Sequence, residues 1–230
     1  MRRLRTAFSL FAAGFALVAC SGGNGERQVG PFNQLADAAR ATYQEARRGP
    51  PQPVVVTRAL LDQTPGEVLQ AIPDNSGLQD FLRLVARRTD DGPGTIEVWQ
   101  SSDNAQVILR DGVLVGTRGL SGDMRSAEAG AALAGFDGTG GGGARRITLS
   151  RTDGASQTME FACEMTQLGT ETLQIVDRQY RTHRIQETCV FRDLAFTNDY
   201  WIDVGAPRMR KSRQWVGPYF GYVAFERLKR

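Results

Sequence analysis

Histidine is nearly absent from this chain: His183 is the only one in 230 residues. There is also no CxxC pair, so the usual donor set of a zinc site is missing. A serine or cysteine hydrolase would have to use His183 as its base, and no GxSxG-type nucleophile motif accompanies it. Long apolar stretches are scarce too. The longest, Phe8 to Val18, would form a helix of about 16 Å, roughly half the hydrocarbon core of a bilayer, which excludes a multi-span membrane protein. No repeat of solenoid or propeller length is present. The glycine run at 138–143 lacks the Lys-Ser/Thr of a phosphate loop, so it is expected to be a mobile loop. With 41% hydrophobic and 23% charged residues the chain is neither disordered nor fibrous.

What is present begins with an address. Arg2, Arg3 and Arg5 precede the Phe8–Val18 stretch, the arrangement of a secretory signal peptide. Leu17-Val18-Ala19-Cys20 looks like a bacterial lipobox, in which the cysteine is acylated and the chain is cut before it. Residues 1–19 are therefore read as a lipoprotein signal peptide, and 20–31 as the lipidated Cys20 with a flexible Gly-rich tether. Residues 32–230 are read as a single β-rich domain. Two or three acyl chains, at about 0.8 kcal/mol per buried methylene, give effectively permanent anchoring. Ser21 after the cysteine, rather than aspartate, points to the outer membrane with the body facing the periplasm. Removal of 1–19 takes away three arginines and leaves 25 basic against 25 acidic residues, so a global electrostatic case for nucleic acid disappears.

The body reads as all-β, an antiparallel meander forming a curled sheet, half-barrel or barrel, preceded by a helix over Phe32–Arg48. Asp111-Gly112 and Asp153-Gly154 mark hairpin turns, and a third is placed at Asp177-Arg178. Val54–Thr57 is β-branched and reads as a strand. Residues 78–88 suit either a short helix or a strand, and strand is favoured by their neighbours. Met159, Phe161, Cys163 and Met165 share one parity, as do Ile185, Cys189 and Phe191, so both cysteines face inward. In an oxidising compartment such a pair favours a disulfide of about 3–4 kcal/mol on the chain-entropy model; the alternative is two separate buried thiols. His183 shares the parity of Ile185 and is expected to be an inward core residue. The acidic pair Asp90-Asp91 reads as solvated turn residues.

From Gly205 to Arg230 seven bases face only Glu226, with Trp201, Trp215, Tyr219 and Tyr222 nearby. Trp201, Asp203, Lys211, Gln214 and Trp215 are taken as a candidate surface for a partner or an acidic glycan. The competing reading places the aromatics in the core and the bases on a solvated strand face.

Three stretches resemble one family. They are RDGVLVGTRGLSGDM at 110–124, the pair Cys163 and Cys189, and DYWIDVGAPRMRKSRQWVGP at 199–218. With the lipobox, they make the chain similar to the YjbF-type group 4 capsule polysaccharide lipoproteins over roughly 50–230. The resemblance implies an outer-membrane lipoprotein that acts without catalysis, cofactor or metal in export of capsule or exopolysaccharide. It would work beside an outer-membrane β-barrel and periplasmic proteins of the same pathway, held in the bilayer by acylated Cys20. Two other readings compete: a lipid or lipoprotein carrier with an apolar cavity, and a glycan-modifying hydrolase with paired carboxylates.

Overall fold

Turn chemistry sets the framework. In the computed structural model, which describes residues 31–45, 54–136, 141–151, 153–206 and 208–229, Asp111 and Gly112 adopt φ of 45° and 92°. Both positive angles suit a tight hairpin turn, and β4 (Gln106–Arg110) and β5 (Val113–Arg118) flank it. Gly154 (φ 81°) does the same between β7 (Gly142–Ser150) and β8 (Ser156–Ile175). The remaining strands are β1 (Val68–Pro73), β2 (Asp80–Arg88), β3 (Ile96–Gln100), β6 (Met124–Ala127), β9 (Arg178–Phe191), β10 (Leu194–Asp203), β11 (Met209–Gly217) and β12 (Gly221–Lys229).

All twelve strands form one antiparallel sheet in the order β5-β4-β3-β2-β1-β12-β11-β10-β9-β8-β7-β6. Sequential strands are neighbours except β5 and β6, and the first strand pairs with the last. The β5–β6 seam is bridged mostly by side chains. Met124 N donates to Thr117 Oγ1 (2.9 Å), Thr117 Oγ1 donates to Asp123 Oδ1 (2.9 Å), and the Asp123 carboxylate also accepts from the backbone of Gly119 and Leu120. The sheet is thus a nearly closed barrel, and a barrel leaves little exposed strand edge.

Its interior is filled. Leu69, Leu82, Trp99, Leu114, Ile147, Phe161, Phe196 and Trp215 belong to one buried cluster, with the Phe196 and Trp215 rings stacked 4.6 Å apart. Cys163 and Cys189 sit directly opposite one another on β8 and β9 and are joined as a disulfide, with Cα atoms 4.1 Å apart. Most polar groups of the inner network are paired, Glu187 Oε1 being without a partner among the described residues. Arg145 (2% exposed) reaches Glu187 (0%) at 2.5 Å and also donates to Leu114 O and Glu128 O, tying β7 to β5 across the seam. Tyr200 Oη and Asn198 Nδ2 donate to the same Glu187 oxygen. Burial, then the Glu187 charge, pushes the Tyr200 hydroxyl well above its usual range.

Two helices lie outside the sheet. Leu35, Ala36 and Ala39 make the apolar stripe of α1 (Pro31–Glu45), and Leu35 and Ala39 pack with Leu61 of α2 (Arg58–Gln63) over Val68, Phe81 and Leu228. Full burial of each Leu or Phe contributes about 1.5–3 kcal/mol. A third short helix, α3 (Gly130–Ala134), follows β6.

Several sequence expectations change here. Val54–Thr57 is not a strand: Thr57 caps α2, its Oγ1 accepting from Leu60 N at 3.3 Å, so the residue that ends the β-branched run starts a helix. β1 was not anticipated. Val68–Ala71 is buried at every position, so it shows no alternation. Residues 80–88 are a strand, as favoured, whereas the helix begins at Pro31, one residue inside the expected tether. β8 runs as a single strand of 20 residues, accommodated by a register shift between Gln167 and Gly169. The β8–β9 turn is Val176-Asp177, one residue before the expected position, because Val176 takes φ of 57°. His183 is exposed, near Thr170 Oγ1, because the buried parity changes along β9: Ile185, Glu187 and Cys189 are buried, but toward the β8–β9 turn it is Thr182 that is. Of the glycine run, Gly142 and Gly143 pair with Glu164 and Cys163 in β7–β8, while 138–140 lie outside the described residues. Cys20, the signal peptide and the tether up to residue 30 also lie outside them.

Candidate functional site

The strands run alternately, so one end of the barrel collects the start of β1, the end of β2, the start of β3, the β4–β5 and β8–β9 turns, the start of β11 and the end of β12. Cations gather there. Arg227 near the end of β12 (side chain 6% exposed) donates to Glu67 (3.0 Å) and Glu97 (2.7 Å), and Arg87 of β2 donates to the same two carboxylates at 2.7 Å each. The Arg227 guanidinium lies 5.0 Å from the centre of the Trp99 ring, and Trp99 Nε1 donates to Glu97 Oε2. Burial would push the Glu97 carboxyl up, but Arg227 and Arg87 outweigh it and hold the group below its ordinary value.

Next to this clamp, α2 and the β8–β9 turn face the ends of β11 and β12. Arg58 Nε donates to Asp177 (2.8 Å) and its Nη1 to Leu228 O (3.3 Å). Lys229 Nζ donates to Leu61 O (2.7 Å) and Thr64 O (2.6 Å), satisfying carbonyls at the end of α2. Arg210, at the register shift between β10 and β11, pairs with Asp203 at 2.6 Å and lies 4.1 Å from the centre of the Tyr180 ring. Two cavities sharing Arg227 open at this end, of about 320 and 580 Å³. The larger is lined by Arg58, Arg178, Arg210, Arg227 and Lys229, with Asp62 as its one carboxylate.

The five residues proposed from the sequence as one surface separate into three places. Trp201 and Lys211 are cross-strand partners on β10 and β11, but the indole is covered, 8% exposed, beneath the charged side chains around it. The Trp201 ring has Arg184 at 5.1 Å and Lys211 at 5.6 Å, its Nε1 donates to Glu171, and Lys211 is 3.8 Å from Glu226. Asp203 serves the basic end as the partner of Arg210. Gln214 and Trp215 are inside the barrel, which corrects the expectation that they lie on a surface. Both neighbours are buried because the β10–β11 ladder stops at Asp199–Arg213 and the β11–β12 register shifts after Trp215. Asn198 Oδ1 then takes the Trp215 N–H at 2.7 Å.

Asp90 is a turn residue, as expected. Its carboxylate accepts from Arg110 at 2.6 Å and from Gly92 N, and the Arg110 contact first of all lowers its pKa to about 2. The basic end was partly legible: Arg208, Arg210, Arg227 and Lys229 belong to the charge-asymmetric carboxyl-terminal run, whereas Arg58 and Arg178 lie far off in sequence with nothing to link them to it.

A nearly closed antiparallel barrel with a helical cover, a packed lumen and one basic end defines a class of β-barrel body. The profile of group 4 capsule polysaccharide lipoproteins, GfcB and YjbF, matches residues 33–228. The chain therefore belongs to that family of lipoproteins. A solved structure, the hypothetical lipoprotein YmcC from Escherichia coli K12, superposes with a TM-score of 0.65 at 21% identity, covering 85% of this chain and 96% of that one. At that identity the likeness concerns the fold. No curated protein matches the sequence.

Proposed function

We propose that this protein is an outer-membrane lipoprotein that acts as a non-enzymatic accessory factor in export of capsule or exopolysaccharide. The observation that carries the reading is the family match over 33–228, joined to the lipobox that ends in Cys20. The acylated cysteine holds the barrel at the inner leaflet, and the Trp201–Lys211 face docks on an outer-membrane β-barrel or periplasmic protein of the same pathway. The packed lumen favours docking over carriage of an acyl chain, because Phe161, Phe196 and Trp215 occupy the space a carrier would need.

Secreted polysaccharide in a strain lacking the protein, complemented with wild type or Cys20→Ala, tests this. Export is expected to fall in the deletion strain and to return only with the lipidated form. Unchanged export in the deletion strain would sink the proposal.

A further inference from the structure

We propose that the larger cavity, between α2, the β8–β9 turn and the ends of β11 and β12, binds an oxyanion: a carboxylate or phosphate carried on a sugar-sized group. The inference stands on the cavity and does not require the export reading.

Composition comes first. Arg58, Arg178, Arg210, Arg227 and Lys229 line about 580 Å³ with Asp62 as the one lining carboxylate, while Asp177, Asp203, Glu67 and Glu97 hold three of those cations from outside the lining. That volume suits a monosaccharide-sized group.

Unmet hydrogen bonding is the second observation. Arg58 Nη2 and Arg227 Nε are both buried and have no acceptor among the described residues. Each belongs to a guanidinium whose other nitrogens are committed, Arg58 to Asp177 and Leu228 O, Arg227 to Glu67 and Glu97. A buried donor without an acceptor is destabilising. An oxyanion supplies several acceptor lone pairs in the planar geometry that arginine matches.

Rigidity is the third. Arg227 is fixed by two carboxylates and the Trp99 ring, Arg210 by Asp203 and the Tyr180 ring, and Lys229 by the α2 carbonyls. A charge held in place loses little conformational freedom when a ligand arrives.

The test is calorimetric titration of the full-length protein, purified from membranes in neutral detergent, with inorganic phosphate, glucose 1-phosphate, glucuronate and uncharged glucose. Binding is expected for an anion and not for glucose. A response to glucuronate alone assigns a carboxylate, and a response to both phosphates assigns a phosphoryl group. Arg178→Glu, an exposed position, and Arg58→Gln should each weaken binding about tenfold or more, with the thermal midpoint of Arg178→Glu unchanged. Arg125→Glu, on exposed β6, should bind as wild type does. No heat with any anion, equal binding of glucose, or equal loss in Arg125→Glu would overturn the site. Polysaccharide export in the Arg178→Glu strain separates the two proposals, since anion binding can fail while export persists.

Discussion

Gln214 shows how much one buried amide can organise. It is fully buried; its Oε1 accepts from Leu114 N at 2.7 Å, and its Nε2 donates to Gly112 O at 2.7 Å and to Ser212 Oγ at 2.9 Å. β11 thereby reaches across the lumen to β5 and satisfies backbone groups that have no ladder partner there. Gln214→Ala leaves an N–H and a carbonyl buried and unpaired, so it should cost about 2–3 kcal/mol in urea unfolding. Lys211→Ala, three residues earlier but on the outer face, should change stability by about 0.5 kcal/mol or less. Equal losses for the two variants would remove Gln214 from its bridging role. The sequence set these residues on opposite faces of β11 without saying which face is the inner one. Ser212 and Gln214 share the inward face and Lys211 and Arg213 the outer one, but the inward pair is polar, so no hydrophobic alternation marks it.

At the scale of elements, legibility followed backbone chemistry. Asp111-Gly112 and Asp153-Gly154 were readable because their turns use residues that tolerate positive φ. The β8–β9 turn was misplaced because Val176, a β-branched residue that resists it, supplies φ of 57°. β1 left no trace because alternation, the signal of a half-buried strand, vanishes when helices cover the second face. The Trp201–Lys211 pair was visible as an aromatic next to a base. The Arg58–Arg178–Arg227 gathering was not, since it joins three elements that only the β1–β12 pairing brings together. The β4–β5 turn also yields a sharp test. A Cβ on Gly112 would meet Met209 Sδ at 2.6 Å, and the φ of 92° disfavours any side chain. Gly112→Ala should therefore destabilise by about 1–3 kcal/mol, read by thermal unfolding. A neutral result would mean that the turn does not pack on β11.

For the molecule as a whole, acid should loosen the basic end first. Glu97, paired to Arg87 and Arg227, lies below its ordinary value of 4.5. Burial raises Asp203, but Arg210 outweighs it, so that group too lies below its usual 3.8. A carboxyl lowered by folding contributes stability that is present above its unfolded value and is lost as pH falls through the lower folded value. Glu226 has the opposite sign: burial raises it, so its contribution favours the fold at low pH and disappears as pH rises through the folded value. The urea midpoint is expected to fall as pH drops below about 4.5, with a shallower fall in Glu97→Gln, which lacks one of the titrating groups. An unchanged slope in that variant would show that the clamp does not report on acid stability.

The pairing of β1 with β12 governs the order in which this molecule can be finished. The hairpins β2 to β5 and the meander β6 to β12 need only contacts between sequential neighbours, which form early. The ladder from Val68 to Lys229 joins the first strand to the last. A polypeptide that emerges amino end first, whether from a ribosome or a translocation channel, holds β1 without its second neighbour until the last nine-residue strand has arrived. The cluster of Leu35, Leu61, Val68 and Phe81 must wait as well, since Leu228 completes it. Arrival of β12 is thus the event that lets the body close, and a chain without that strand would leave β1 and β11 with open edges.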